Sequence, residues 1–257
     1  MDTLSPVQRP YTAVSRLGDW IEGRVPSVPG RSRFLGLQPI FNRQGDIYGY
    51  EALSRSTYNN RFTGDSRHAT HGILTDWLLD DLDRLTAGKP VFLNCTREDL
   101  AGDLMALLPV RIVVEVLETV LVDEWVVDAC RRLKAFGHNI ALDDFQLAVD
   151  DSGLLALADY VKIDFQLCEK DQRKEMVEYL AKKPVRLIAE KIETREQFRS
   201  ALEEGFHLFQ GYYLTRPVLL SKGTIRSRWF NHLRLRWHSR KRRNRWQFFT
   251  ETGFHQN

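Results

Sequence analysis

The feature that most restricts the fold of this 257-residue chain is an alternation between short apolar runs and longer amphipathic segments. The apolar runs, rich in Val, Ile, Leu, Phe and Tyr, predict eight strands. The predicted strands are 34–41, 47–53, 91–94, 111–116, 139–144, 160–164, 186–191 and 208–214. Only the polar segment NRQGD separates the first two strands, which predicts a turn between antiparallel partners.

Helix candidates follow the strands from the second onward. They are 70–87, 97–107, 122–136, 150–158, 170–182 and 194–204. Gly137 and Gly205 stand where a helix end favours a residue that tolerates positive φ. Repeated β–α units predict an α/β fold, a TIM-like (β/α)₈ barrel with an antiparallel first strand. An open doubly wound sheet is the alternative, but the glycine fingerprint of such sheets does not follow the first strand.

Nearly every predicted strand ends in a charged or amide side chain. In chain order these are Glu51, Asn94, Glu115 with Glu118, Asp143 with Asp144, Lys162 with Asp164, Glu190 with Glu193, and Gln210. The C-terminal ends of barrel strands converge on one mouth, where active sites lie. Crowded carboxylates need cations to remain ionised, and carboxylate and amide oxygens suit Mg²⁺ or Mn²⁺ better than Zn²⁺. The residues alone therefore predict one or two divalent metals and a lysine at a barrel mouth.

Charge is distributed unevenly along the chain. The net charge is +3, yet residues 226–245 hold nine Lys and Arg and no Asp or Glu, which leaves −6 for the rest. We predict a flexible N-terminal extension over 1–33, a barrel over 34–225 and a basic, Trp- and Arg-rich extension over 226–257 that includes a closing helix. The basic extension is either a solvated end of that helix or a contact for protein, nucleic acid or an anionic membrane.

The sequence also predicts a cytoplasmic location. Three widely spaced Cys form neither a disulfide framework nor a metal knuckle. No apolar run reaches the roughly 18 residues of a membrane span, and none resembles a signal peptide.

The strand-end motifs resemble those of the EAL family of cyclic di-GMP phosphodiesterases. Glu51-Ala52-Leu53 lies in IYGYEALSR after a QPI strand, and VFLNC, VEVLE, ALDDF, VKID, AEKIET and QGY follow in the family's order. The match extends over roughly residues 34–218. The resemblance implies hydrolysis of cyclic di-GMP to linear pGpG with two divalent cations, Mg²⁺ or Mn²⁺, and inhibition by Ca²⁺. It also implies cyclic di-GMP as the ligand and is compatible with a homodimer.

The resemblance assigns roles to individual residues. Lys162, Glu190 and Glu51 match catalytic residues, with Lys162 positioning the attacking water. Gln38, Arg55 and Gln210 match substrate contacts. The metal ligands are matched by Glu51, Asn94, Glu115, Asp143, Asp144 and Glu190, with Asp143 bridging the two ions. Glu118 matches a glutamate that supports the loop after Asp144.

Two segments depart from the family pattern. Residues 146–154 read QLAVDDSGL where the family continues Gly-Thr-Gly-Tyr-Ser-Ser-Leu, and Lys191 replaces a glycine. Both changes resemble the branch that precedes an HDOD domain, which we do not expect in the roughly 40 residues after Pro217. The altered loop favours a second hypothesis, a weak or inactive cyclic di-GMP sensor or interaction module. An enolising enzyme with Lys162 as base ranks lower, because the acidic pair at 143 and 144 exceeds what enolisation needs.

Overall fold

The computed structural model describes residues 34–55, 79–101, 105, 108–146 and 153–220. These residues form nine strands. The strands are β1 (Phe34–Asn42), β2 (Ile47–Arg55), β3 (Val91–Cys95), β4 (Ile112–Val116), β5 (Asn139–Leu142), β6 (Tyr160–Asp164), β7 (Arg186–Glu190), β8 (Leu208–Phe209) and β9 (Val218–Leu220). The predicted extensions 1–33 and 226–257 lie outside the described residues, so the proposed domain limits remain predictions.

The strands close into a barrel. Strands β2 to β8 pair in sequence order and in parallel. Strand β1 runs antiparallel and joins β2 to β8, which completes the closure. The predicted TIM-like barrel with a reversed first strand is therefore confirmed, and the open sheet is wrong. The sequence did not predict the short strand β9. It pairs antiparallel with Leu35–Leu37 of β1, on the same edge of β1 as β8.

Five described α-helices connect or follow the strands. They are α1 (Leu79–Thr86), α2 (Arg97–Ala101), α3 (Glu124–Ala135), α4 (Lys170–Leu180) and α5 (Arg195–Glu204). Helix α5 begins with a capping box between Thr194 and Gln197 and ends at Gly205 with φ of +97°, as predicted. The predicted helix 150–158 is wrong in its described part, which forms only a 3₁₀ turn at Leu155–Leu157. None of the described helices combines the length and hydropathy needed to cross a bilayer.

One residue from each of seven strands forms the apolar layer inside the barrel. The members of this core layer are Ile40, Phe92, Val113, Ala141, Tyr160, Ile188 and Leu208. Tyr48 packs against this layer and shares a hydrogen bond of 2.5 Å with Tyr160 between the two hydroxyl groups. Because side chains on one face of a strand recur every two residues, the next inward position of each strand lies directly above this layer.

Three strands end earlier than predicted. Strand β5 stops before the acidic pair, β7 stops before Lys191, and β8 stops at Phe209. Asp144 and Lys191 have φ of +40° and +52°, which lie in the left-handed region and cannot continue a strand. Gly211 passes so close to Ile192 that no side chain fits at this position, since a Cβ there would lie 2.1 Å from the carbonyl oxygen of Ile192. The backbone thus turns just where the polar residues begin.

Candidate metal centre at the barrel mouth

The polar residues of the mouth lie two positions beyond the core layer. Asn94, Glu115, Asp143, Lys162, Glu190 and Gln210 each follow a core-layer residue by two. In the reversed strand β1 the order is inverted, so Gln38 precedes Ile40 and pairs in register with Glu51 of β2. The spacing of two places these side chains on the inner face of the barrel. Because all of them lie on the same side of the core layer, they meet at one end of the barrel. A cavity of about 330 Å³ opens there.

Lys162 lies at the centre of this cavity floor. Its side chain is 1% exposed. The Nζ atom contacts Glu115 and lies 2.8 Å from Glu190 Oε1, 3.2 Å from Asp143 Oδ1 and 3.9 Å from Glu51 Oε2. One ammonium group thus faces four carboxylates, and full ionisation would leave three negative charges without compensation.

The buried charges shift one another's pKa values. Burial raises the pKa of Glu115 and of Glu190 well above the usual range, although the charge of Lys162 opposes this. Burial also disfavours ionisation of Asp143, but the charge of Lys162 and its hydrogen bond prevail and lower that pKa. For Lys162, burial is outweighed by the surrounding carboxylates, and its pKa is raised. The ammonium therefore stays charged, while two carboxyl groups lack enough positive charge to ionise easily.

Glu51 is held through both of its oxygens. Gln210 donates a hydrogen bond from Nε2 to Oε2 at 2.5 Å, and Asn94 donates from Nδ2 to Oε1 at 3.3 Å. Gln210 directly follows β8 and Asn94 lies in β3, so the two donors come from the strands on either side of the β1–β2 hairpin. The carboxylate is thereby fixed in orientation at the cavity wall.

Three carboxylates form a second group at the cavity edge. Asp143, Asp144 and Glu190 each offer an oxygen within 4.8 Å of the others. Glu115 Oε2 and Asp144 Oδ1 are buried and have no hydrogen-bond partner within the described part of the chain. Buried carboxylate oxygens with surplus negative charge are ligands that a hard divalent cation prefers. The donor set therefore fits the divalent metals that the sequence predicts.

Lys191 extends the site beyond the predicted residues through its contact with Asp164, which the sequence places at the mouth. The Nζ atom of Lys191 contacts Asp164 and lies 3.4 Å from Asp144 Oδ2. Burial and the neighbouring Asp143 raise the pKa of Asp144, against the effect of Lys191. The position of Asp164, two residues after Lys162 in β6, was the sequence signal for its inward direction. Nothing in the sequence indicated that Lys191 would face it.

The remaining predicted residues are placed as follows. Gln38 and Gln210 are buried and line the cavity. Arg55 ends β2, but its side chain lies outside the described part. Glu118 is exposed in the turn after β4, and the loop it is predicted to support is undescribed over 147–152. The roles of Arg55 and Glu118 therefore remain predictions.

Comparison with protein families and curated sequences gives consistent matches. A family model described as the EAL domain matches residues 30–217. The YuxH protein of Bacillus subtilis (strain 168) is 30% identical over 210 residues, which are 79% of this chain and 51% of YuxH. The cyclic di-GMP phosphodiesterase CdgJ of Vibrio cholerae is 31% identical over 195 residues, 74% of this chain and 45% of CdgJ. The chain thus spans about half the length of these relatives.

Solved structures share the fold. The Bacillus subtilis YkuI protein, which has an EAL domain and was solved with its substrate c-di-GMP and calcium, aligns with a TM-score of 0.60 at 22% identity over 86% of this chain and 61% of YkuI. Klebsiella pneumoniae BlrP1, in a complex with manganese and c-di-GMP, gives a TM-score of 0.61 at 22% identity over 76% of this chain and 58% of BlrP1. The PaMucR phosphodiesterase, in a c-di-GMP complex, gives 0.61 at 22% identity over 73% of this chain and 97% of PaMucR.

Proposed function

The chain belongs to the EAL domain family, and from this premise we propose that it hydrolyses cyclic di-GMP to linear pGpG with divalent cations. The observation that carries the proposal is the buried ammonium of Lys162 among four carboxylates at the cavity floor. The name of CdgJ, a phosphodiesterase, and the nucleotide in the YkuI and BlrP1 structures support the substrate.

The carboxylates divide into two overlapping ligand groups. Glu51, Asn94, Glu115 and Asp143 would hold one cation, and Asp143, Asp144 and Glu190 would hold the other. The second group is the three-carboxylate cluster at the cavity edge, and Asp143 joins the two groups. When bound, divalent cations supply Lewis acidity to a phosphodiester and acidify water. The manganese and calcium in the BlrP1 and YkuI structures support a divalent ion, and we propose Mg²⁺ or Mn²⁺ for turnover.

The chain's own side chains position the reactants. Lys162 donates an N–H to the attacking water and keeps it beside the carboxylates of Glu190 and Glu51. Gln210 fixes Glu51 and, together with Gln38, presents amide groups to the ligand from the cavity wall. Arg55 follows in the same strand as Glu51 and would contact a phosphate with its guanidinium group.

One observation favours a second candidate, cyclic di-GMP binding with weak or no turnover. Asp144, a ligand of the second proposed cation, lies 3.4 Å from the ammonium of Lys191. A positive charge at this distance opposes cation binding. Such a protein would act as a sensor or interaction module.

We also propose that the protein is cytoplasmic. Its activity would be regulated by formation of a homodimer or by contacts of residues 226–257 with a partner.

A product assay tests both candidates. The purified full chain is incubated with cyclic di-GMP and Mg²⁺, Mn²⁺ or Ca²⁺, and pGpG is measured by chromatography. We expect pGpG with Mg²⁺ or Mn²⁺, and calorimetric binding without product with Ca²⁺. Lys162→Met should abolish turnover, whereas Lys174→Met on the exposed face of α4 should not change it. Binding without product in Mn²⁺ would refute the enzyme and support the sensor, and absence of binding would refute both.

A further inference from the structure

Lys191 places a positive charge at the edge of the three-carboxylate cluster. Its side chain is 51% exposed and reaches inward from the rim of the cavity. The Nζ atom contacts Asp164 and lies 3.4 Å from Asp144 Oδ2. Both Lys191 and Asp144 have positive φ angles, so each side chain leaves its strand end at a sharp backbone turn.

The position of this ammonium is set by Asp164 rather than by the cluster. Asp164 Oδ1 accepts hydrogen bonds from the backbone N–H of Gln166 at 2.6 Å and of Leu167 at 3.3 Å. Its other oxygen, Oδ2, contacts Lys191. The backbone of Lys191 is held as well, because Gln166 Nε2 donates to its carbonyl oxygen at 3.0 Å. The ammonium is thus tethered beside Asp144 by contacts outside the predicted ligand set.

We infer that Lys191 is a built-in cation that competes with a divalent metal for Asp144 and thereby sets the metal affinity of the site. The inference rests on the proposed function, since it takes the second ligand group as a metal site. Asp144 has one oxygen toward Lys191 and a second, buried oxygen with no hydrogen-bond partner in the described ranges. A metal bound to that carboxylate shares it with a fixed positive charge, which weakens metal binding. Lys191 acts through Asp144 and is a positioning residue, not a catalytic one.

Metal titration without nucleotide tests the inference. Mn²⁺ affinity is measured by calorimetry, and thermal unfolding is followed with and without Mn²⁺. Lys191→Met should bind Mn²⁺ about tenfold more tightly than the wild type, a change as large as the smallest of the 10–100-fold losses that substitutions next to metal ligands cause. Lys191→Arg, which keeps the charge, and the distant Lys174→Met should leave the affinity within about twofold of the wild type on the same scale. Without metal, Lys191→Met should unfold at a lower temperature, because Asp144 and Asp164 lose their counter-charge.

The outcomes separate the possible roles of Lys191. A lower unfolding temperature with unchanged Mn²⁺ affinity would show a structural ion pair only and overturn the inference. If neither wild type nor variant binds Mn²⁺, the metal part of the proposed function fails and the inference with it. Tighter Mn²⁺ binding without any cyclic di-GMP binding would support the inference and refute the proposed substrate. Should the Met variant not fold, Lys191→Gly, which suits the φ of +52°, must show the same gain in affinity.

Discussion

Replacing Glu115 with Gln should invert the order of stability between the variant and the wild type when metal binds. The Glu115 side chain is fully buried and contacts Lys162 through Oε1, while Oε2 has no hydrogen-bond partner among the described residues. Burial raises its pKa well above the usual range. Glutamine has nearly the same shape, retains an oxygen for Lys162 and carries no charge. We therefore expect Glu115→Gln to be more stable than the wild type without metal and less stable with it.

The magnitude follows from the buried charge that the amide removes, since the amide nitrogen takes the place of Oε2 without gaining a partner. Burying an uncompensated polar group costs about 1–3 kcal/mol, and more when the group is charged. A domain of this size changes its unfolding temperature by about 2–4 °C per kcal/mol, so the metal-free variant should unfold roughly 2–12 °C higher. At Mn²⁺ of 100 times the dissociation constant, ligand binding should stabilise the wild type by about 2.7 kcal/mol. The variant lacks a charged ligand and should gain much less, so the order of the two unfolding temperatures inverts.

The dependence of the metal-free protein's stability on pH has a definite sign. A carboxyl group whose pKa is raised on folding contributes stability below its unfolded value, near 4.5, and that contribution is lost as the pH rises through the folded value. Metal-free wild type should therefore lose stability with rising pH, and Glu115→Gln should lose less. Part of the pH dependence of stability remains in the variant, because the pKa of Glu190 is raised as well.

Thermal unfolding from pH 5 to pH 8, with and without Mn²⁺, measures both effects. The exposed Glu178→Gln on α4 serves as the control for loss of one carboxylate. The reasoning is refuted if Glu115→Gln is less stable than the wild type without metal at every pH, or if Mn²⁺ stabilises both proteins equally.

Three further substitutions test contacts that hold the site and the surrounding backbone in place. Gln210→Ala removes the 2.5 Å hydrogen bond to Glu51 and should weaken Mn²⁺ binding by about 10–100-fold in calorimetry; unchanged affinity would contradict the positioning role. Gly211→Ala puts a Cβ 2.1 Å from the Ile192 carbonyl oxygen, so it should lower both the unfolding temperature and cyclic di-GMP affinity, and a neutral result would refute the close approach. Thr194→Ala removes the N-cap of α5 and should cost about 1 kcal/mol in denaturant unfolding without changing Mn²⁺ affinity, whereas a large loss of affinity would argue against a purely local cap.

The mouth could be predicted because barrel strands translate sequence spacing directly into position. Phe92 and Asn94, or Ile188 and Glu190, stand two residues apart and therefore share one face of a strand. An inward apolar residue followed by an inward polar one is visible in the sequence as soon as the strand is recognised. The pairing register between strands is not needed for this prediction, because the C-terminal ends of all parallel strands meet at one rim.

The contacts at the rim itself could not be predicted in the same way. Lys191 and Asp144 adopt left-handed backbone conformations, which are uncommon for residues other than glycine and depend on tertiary contacts. The ion pair of Lys191 with Asp164 joins residues that are 27 positions apart, and its contact with Asp144 spans 47. Neither spacing corresponds to a helical or strand period. Strand β9 was missed for a related reason, because three residues carry too weak a pattern and are ordered by pairing with β1.

The charges of the mouth themselves suggest how many cations the site requires. Lys191 and Asp164 compensate each other, and Lys162 compensates one more carboxylate. The carboxylates that face these two lysines are Glu51, Glu115, Asp143, Asp144, Asp164 and Glu190. Six carboxylates against two ammonium groups leave a formal charge of −4 when all are ionised, which two divalent cations neutralise. Without a bound cation, protons on Glu115 and Glu190 are the remaining source of positive charge, because burial raises the pKa of both. Binding of the cations must then release protons, so metal affinity should increase with pH.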